Sequence, residues 1–144
     1  YAGDLLYATL LKFGLARGTY DRRRDDGLAL VECRITNAVR CVPPENKPTP
    51  EEARTCRAFL AAEVAAMPRL GAILALGQLA HNEVLSTLGQ RRAAFPFKHG
   101  AQHALSNGLA LADSYHCSRY NTNTGVLTAA MFEGVFAALR ARLG

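Results

Sequence analysis

Hydrophobic and polar positions along the chain follow two periods. From Gly3-Asp4 onward, Leu5, Leu6, Leu10 and Phe13 recur at helix spacing, and Gly14 stands where a helix would be capped. Residues 28–39 read as a strand region with an irregular start. Thr49-Pro50-Glu51-Glu52 marks a helix start, with Thr49 as N-cap, Pro50 at the first helical position and Glu52 completing a capping box. Cys56, Phe59, Leu60 and Val64 share one face of that helix. Ala72-Ile73-Leu74-Ala75-Leu76 is uniformly apolar and stops at Gly77, the pattern of a strand buried on both faces of a parallel sheet. A helix with Leu79, Val84 and Leu88 follows, then an irregular region over residues 89–108 and a third strand at residues 109–114. Thr128 caps a last amphipathic helix carrying Met131, Phe132, Val135, Phe136, Leu139 and Leu143.

This α-β-α-β-α-β-α order predicts an α/β fold: a three-layer α/β/α sandwich forming one domain over residues 1–144, with parallel strands at residues 29–39, 72–76 and 109–114. In such sheets the ligand site lies beyond the carboxyl ends of the strands. Asn37 and His116 both fall at or just past such ends, so their side chains are expected to face a common cavity.

Composition narrows the class. The 144 residues suffice for one domain with a real core. The formal charge is +5, and 14 of the 17 cations are arginine. Arginine reads phosphate bidentately, so a polyanion partner competes with the plainer reading of a solvated basic surface. The run Arg22-Arg23-Arg24 against Asp25-Asp26 reads first as a solvated loop and second as a DNA contact. No apolar run approaches the ~20 residues of a membrane span, and Asp4 and Lys12 interrupt anything resembling a signal peptide. Four irregularly spaced cysteines do not form a secreted disulfide framework, which favours a cytoplasmic, reduced context.

Two strings carry candidate chemistry. The first is Ile35-Thr36-Asn37-Ala38-Val39-Arg40-Cys41-Val42-Pro43-Pro44-Glu45-Asn46-Lys47-Pro48-Thr49-Pro50, where a strand delivers a polar Asn, then a Cys, then a proline-rich turn and a helix start. The second is Ser114-Tyr115-His116-Cys117-Ser118-Arg119-Tyr120-Asn121-Thr122-Asn123-Thr124-Gly125. Taken by residue type alone, Asn37 fits a strand-end turn, His116 a structural hydrogen bonder, and Ser118 to Asn121 a polar surface loop. Cys41 and Cys56, with 14 residues between them, could be buried small hydrophobes. His81 reads as a helix surface residue, His103 has no context of its own that points to chemistry, and His99, within Phe97-Lys98-His99-Gly100, reads first as structural.

Together the two strings resemble the uracil-DNA glycosylase superfamily, most closely its type 5 iron–sulfur branch. The resemblance implies that Asn37 reads the uracil edge, since one amide satisfies both the O4 acceptor and the N3 donor while cytosine presents the reverse. It implies that His116 stabilises the charge growing on O2 as uracil leaves. It implies that Ser118, Arg119, Tyr120 and Asn121 meet DNA, with Ser118 on a phosphate and Arg119 or Tyr120 filling the space the flipped nucleotide vacates. Cys117 stands where the family more often has Pro. The string Phe97-Lys98-His99-Gly100 also resembles a loop of the family. Cys41 and Cys56 match two of the four cysteine ligands of a 4Fe-4S iron–sulfur cluster, whose other two ligands lie nearer the family's N-terminus. The resemblance further implies an N-terminally incomplete domain whose first strand is missing, and a protein that is monomeric when complete. The expected function is hydrolysis of the N-glycosidic bond of uracil, and of other deaminated bases, in DNA. The alternatives are a catalytically inactive DNA-binding module and a truncated fragment.

Overall fold

The computed structural model describes residues 3–22, 26–36 and 49–143. In chain order its elements are α1 (Gly3–Lys12), β1 (Ala16–Arg17), β2 (Ala29–Leu30), α2 (Pro50–Ala65), β3 (Ala72–Leu76), α3 (Gln78–Thr87), a 3-10 turn (Arg92–Ala94), β4 (Gln102–Ala104), β5 (Ala110–Ser114), α4 (Arg119–Asn123) and α5 (Ala129–Leu143). The chain divides into two compact units, Tyr1–Ile35 with Tyr115–Gly144, and Thr36–Ser114.

In the first unit α1 ends as its sequence predicts. Gly14 takes φ +75°, and the Leu15 N–H donates to Leu10 O at 2.9 Å while the Gly14 N–H donates to Leu11 O at 3.3 Å. These are the paired bonds of a Schellman cap, which needs a residue at ease with positive φ. Phe13, just before the cap, meets Phe136 of α5 at a ring separation of 5.9 Å. Phe132, Val135, Phe136 and Leu139 form the buried stripe of α5, at the spacing the sequence shows. Thr128 caps that helix, its hydroxyl accepting from the Met131 N–H at 3.1 Å. Arg22 holds Asp4 through two bonds, of 3.0 and 2.6 Å, and this guanidinium lowers the carboxyl below its ordinary range. Part of the charged loop is therefore spent on an internal ion pair.

The first predicted strand is corrected here. Among the described residues of 29–39, only Ala29–Leu30 forms a strand, and it pairs antiparallel with Ala16–Arg17. Two local features explain the difference. Glu32 adopts φ +55°, a left-handed turn that ends extended structure immediately after β2. The chain also doubles back so closely that a Cβ on Gly18 would lie 2.1 Å from Gly27 O, which makes β1 and β2 the two arms of one hairpin.

The second unit holds a three-stranded sheet in the order β3-β5-β4. β3 and β5 are parallel, in register from Ala72↔Ala110 to Leu76↔Ser114. β4 is antiparallel to β5, so the predicted all-parallel sheet is mixed on its far side. β4 is only three residues long and lies within a stretch expected to be irregular, too short for an alternation to register. The α/β class and the parallel β3–β5 pair stand as expected. β5 is central and buried throughout, whereas β3 is only partly buried, because among the described residues it is hydrogen-bonded on one edge alone. Leu60, Ala75, Val84, Leu85, Leu105 and Leu111 form the core beneath the sheet. Each fully buried Leu there contributes roughly 1.5–3 kcal/mol of transfer free energy.

α2 starts with the predicted capping box. The Glu52 N–H donates to the Thr49 hydroxyl at 3.1 Å, and the Thr49 N–H donates to Glu52 Oε1 at 3.0 Å. α2 is tied to α3 by Arg57, whose Nε donates to Glu83 Oε2 at 2.7 Å and whose Nη2 reaches Oε1 at 3.4 Å. Glu83 is nearly fully buried, and Arg92 lies 3.9 Å from the same carboxylate. Glu83→Ala is expected to cost about 2 kcal/mol, since a charge-assisted bond is lost and a half-buried guanidinium is left without its acceptor. Urea unfolding checks this, with Glu83→Gln expected to lose less because one acceptor oxygen remains. A change within error for Glu83→Ala would show the pair to be energetically idle.

Candidate active site

The segment following β5 lies wholly within the described residues. Ser118 is the N-cap of α4, its hydroxyl accepting from the Asn121 N–H at 3.2 Å. The Asn121 side-chain amide donates back to His116 O at 2.9 Å. The Asn121 carbonyl accepts from the Leu127 N–H at 3.1 Å, and the Thr124 hydroxyl donates to Tyr120 O at 2.8 Å. The loop is thus braced at both ends without a proline at position 117. Ser118 and Asn121, expected as DNA contacts, carry this bracing with their side chains. Arg119 and Tyr120 stand exposed, Tyr120 at 74%.

His116 presents its ring at the surface, yet the surrounding protein displaces enough water to lower its pKa from the ordinary 6.5. A ring so placed is neutral at pH 7 and offers one N–H donor. Cys117 beside it is buried, and burial pushes its thiol pKa up, so it is held as a thiol and not as a nucleophilic thiolate.

Asn37 and Cys41 lie outside the described residues, and with them the expected shared cavity of Asn37 and His116. The neighbouring Thr36 donates its hydroxyl to Glu63 Oε1 on α2 at 2.9 Å. Cys56 is buried on α2. Cys33 is half-buried and donates its thiol to Leu15 O at 3.3 Å.

A 4Fe-4S cluster needs four thiolates. Of the family-type ligands the described residues supply Cys56 alone, and Cys33 already has a protein partner, so these residues do not by themselves fit the cluster.

A second polar constellation was not anticipated. His81, read from the sequence as a helix surface residue, is 1% exposed on α3. Its Nδ1 lies 2.6 Å from Asp113 Oδ1 and its Nε2 lies 2.7 Å from Phe95 O. His103 Nε2 lies 2.8 Å from Asp113 Oδ2. Both ring nitrogens of His81 therefore face acceptors. Ligand-type atoms of His81, His103 and Asp113 all lie within 4.8 Å of one another. Ligands around a tetrahedral zinc at ~2.0–2.1 Å would stand about 3.3 Å apart. The observed 2.6 and 2.8 Å separations are those of hydrogen bonds, so the cluster is a hydrogen-bonded network. The sequence signal for it was Asp113, the one acidic residue inside an otherwise small and apolar strand.

The family model described as the Uracil DNA glycosylase superfamily matches residues 1–140. The chain belongs to the uracil-DNA glycosylase superfamily. It is 44% identical over 131 residues to the Type-5 uracil-DNA glycosylase of Thermus thermophilus, covering 91% of this chain and 59% of that protein. It is 43% identical over 123 residues to the enzyme of the same name from Pyrobaculum aerophilum, covering 85% and 53%. With that of Mycobacterium tuberculosis the identity is 39% over 137 residues, covering 94% and 51%. The chain thus spans between half and three-fifths of the length of these curated relatives. Among the described residues no helix is long and apolar enough to cross a membrane.

Proposed function

We propose that this chain is part of a DNA repair glycosylase that releases uracil, and related deaminated bases, from DNA. The observation that carries this reading is the braced loop after β5, which anchors the main chain of His116, while burial lowers the pKa of its imidazole. In the proposed reaction, water forms the new bond to the sugar C1′ as the C1′–N1 bond breaks, and the bonding pair leaves with uracil as an anion spread partly over O2. The His116 N–H donates to that O2. Asn37 pairs with O4 and N3 of the base and rejects cytosine. Arg119 and Tyr120, both exposed, contact the DNA from which the nucleotide is turned out.

Cys41 and Cys56 are proposed as two ligands of an iron–sulfur cluster, to which two further thiolates would have to come from outside these 144 residues. The protein is proposed to act as a cytoplasmic monomer. The test is single-turnover incubation of the natural full-length protein with a uracil-containing duplex and a cytosine-containing control. Free uracil and an abasic site, with no release from the control, are expected. Binding of both duplexes without base release would make the protein a DNA-binding module instead. Iron assay of the anaerobically purified protein tests the cluster, and iron-free protein would remove it from the proposal.

A further inference from the structure

The His81–Asp113–His103 network plays no part in the reaction proposed above, yet His81 and Asp113 are buried with every side-chain polar atom hydrogen-bonded. Asp113 uses every polar atom it has. Its N–H donates to Ala101 O at 2.9 Å, and its carbonyl accepts from the Gly100 N–H at 2.9 Å. Oδ1 is hydrogen-bonded to His81 Nδ1, and Oδ2 is hydrogen-bonded to His103 Nε2 and accepts from the Lys98 N–H at 3.3 Å. His81 in turn donates to the Phe95 carbonyl. The Phe97 ring lies edge-on to His81 at 5.5 Å, and Phe95 meets His103 at 5.7 Å. Four of these bonds end on the segment from Phe95 to Ala101, and the Ala101 N–H closes it by donating to Lys98 O at 3.0 Å.

A buried polar network of this kind adds little net stability over a well-packed apolar replacement, because desolvation offsets the hydrogen bonds. What it supplies is a single backbone conformation. Lys98 lies at the centre of the segment so fixed. Its main chain is pinned through both N–H and C=O, while its side chain is exposed and has no ion pair among the described residues.

We propose that Asp113, His81 and His103 are positioning residues that hold this loop so that Lys98 contacts a phosphate of the DNA backbone. The inference rests on DNA being the partner, as proposed above, but not on base excision. A preorganised cation loses less conformational freedom on binding than one carried by a loose loop. Its contribution is independent of base sequence and sensitive to salt.

The test is a double-mutant cycle in the natural full-length protein, read by binding to an undamaged duplex across a salt series. Lys98→Ala should weaken binding and reduce the slope of log K against log salt by about 0.9, the release of one phosphate's counterion. His103→Leu should weaken binding by a similar factor and speed amide exchange at Lys98 and Gly100. His103→Gln, which keeps a donor toward Asp113, should restore both. In the Lys98→Ala background His103→Leu should cost nothing further. Additive losses, or an unchanged salt slope for Lys98→Ala, would overturn the proposal. The second result stands even if the histidine variants fail to fold, because Lys98 is a surface side chain. A stoichiometric metal ion at the cluster would also overturn it. If the cycle behaves as expected but no uracil is released, this inference survives and the glycosylase reading falls.

Discussion

Replacing His116 by alanine in the natural full-length protein is expected to slow uracil release by ~10²–10³, equivalent to about 3–4 kcal/mol of barrier, the usual cost of losing one preorganised donor to a developing oxyanion. The structure sharpens this expectation in two ways. The Asn121 amide anchors the His116 carbonyl, so the main chain that carries the ring is already in place. Burial lowers the pKa of the ring from 6.5, so the donor is a neutral imidazole at pH 7. A neutral donor stabilises a leaving anion without first pairing with the DNA phosphates as a cation would. The same shift has a consequence for stability. Below pH 6.5 an unfolded chain protonates this histidine while the folded chain resists, so the unfolded state binds more protons there. The contribution of His116 to stability therefore falls as pH drops below 6.5, and His116→Ala should flatten that part of the profile. Single-turnover excision measures the first effect and urea unfolding across pH the second. Excision at the parental rate with normal DNA binding would make His116 a structural histidine.

What could be read from the sequence was set by how local the determinants are. Thr49 and Glu52 lie one helical turn apart and need nothing distant to form their reciprocal bonds, and the capping box is present as predicted. The Gly14 cap and the Phe132, Val135, Phe136 and Leu139 stripe are local in the same sense. The uniformly apolar run at Ala72–Leu76 was placed correctly as a strand, and its parallel partner at Ala110–Ser114 followed from the intervening helix. The strand expected at residues 29–39 went wrong where a non-local fact intervened. A hairpin with Ala16–Arg17 captured its first residues, and a left-handed Glu32 ended it. Apolar patterning does not encode a single positive φ at a glutamate.

The candidate site divides along the same line. The loop at His116 carries a string dense enough to resemble a family, and α4 forms there as a short capped turn. The buried network escaped because its members lie 32 and 10 residues apart in sequence, and each alone has an ordinary surface explanation. His81 occupies a helix position that could face water or core, and only the fold places Asp113 opposite it. One acidic residue inside an apolar strand was the available warning. A carboxylate in that position either ends the strand or has buried partners, and here it has three side-chain or main-chain donors on its two oxygens.

Those donors make Asp113→Ala the largest stability loss expected in the molecule. The carboxylate is fully buried, at 0% exposure, and its removal deprives the His81 ring, the His103 ring and the Lys98 N–H of their acceptor at once. His81 has no water to turn to, being 1% exposed, and still has the Phe95 carbonyl on its other nitrogen. Each buried donor left without its acceptor costs about 1–3 kcal/mol, because it keeps its desolvation penalty, and three lose theirs here. That is a large share of the ~5–15 kcal/mol by which a domain of this kind is stable. Asp113→Asn should lose less, because its amide oxygen can still accept from one histidine, and the difference between the two variants isolates that remaining hydrogen bond and its packing. Urea unfolding followed by far-ultraviolet circular dichroism at pH 7 measures both. A loss below about 1 kcal/mol for Asp113→Ala would mean that water or a neighbouring acceptor replaces the carboxylate. In that event the network could not be what holds the loop around Lys98 in place.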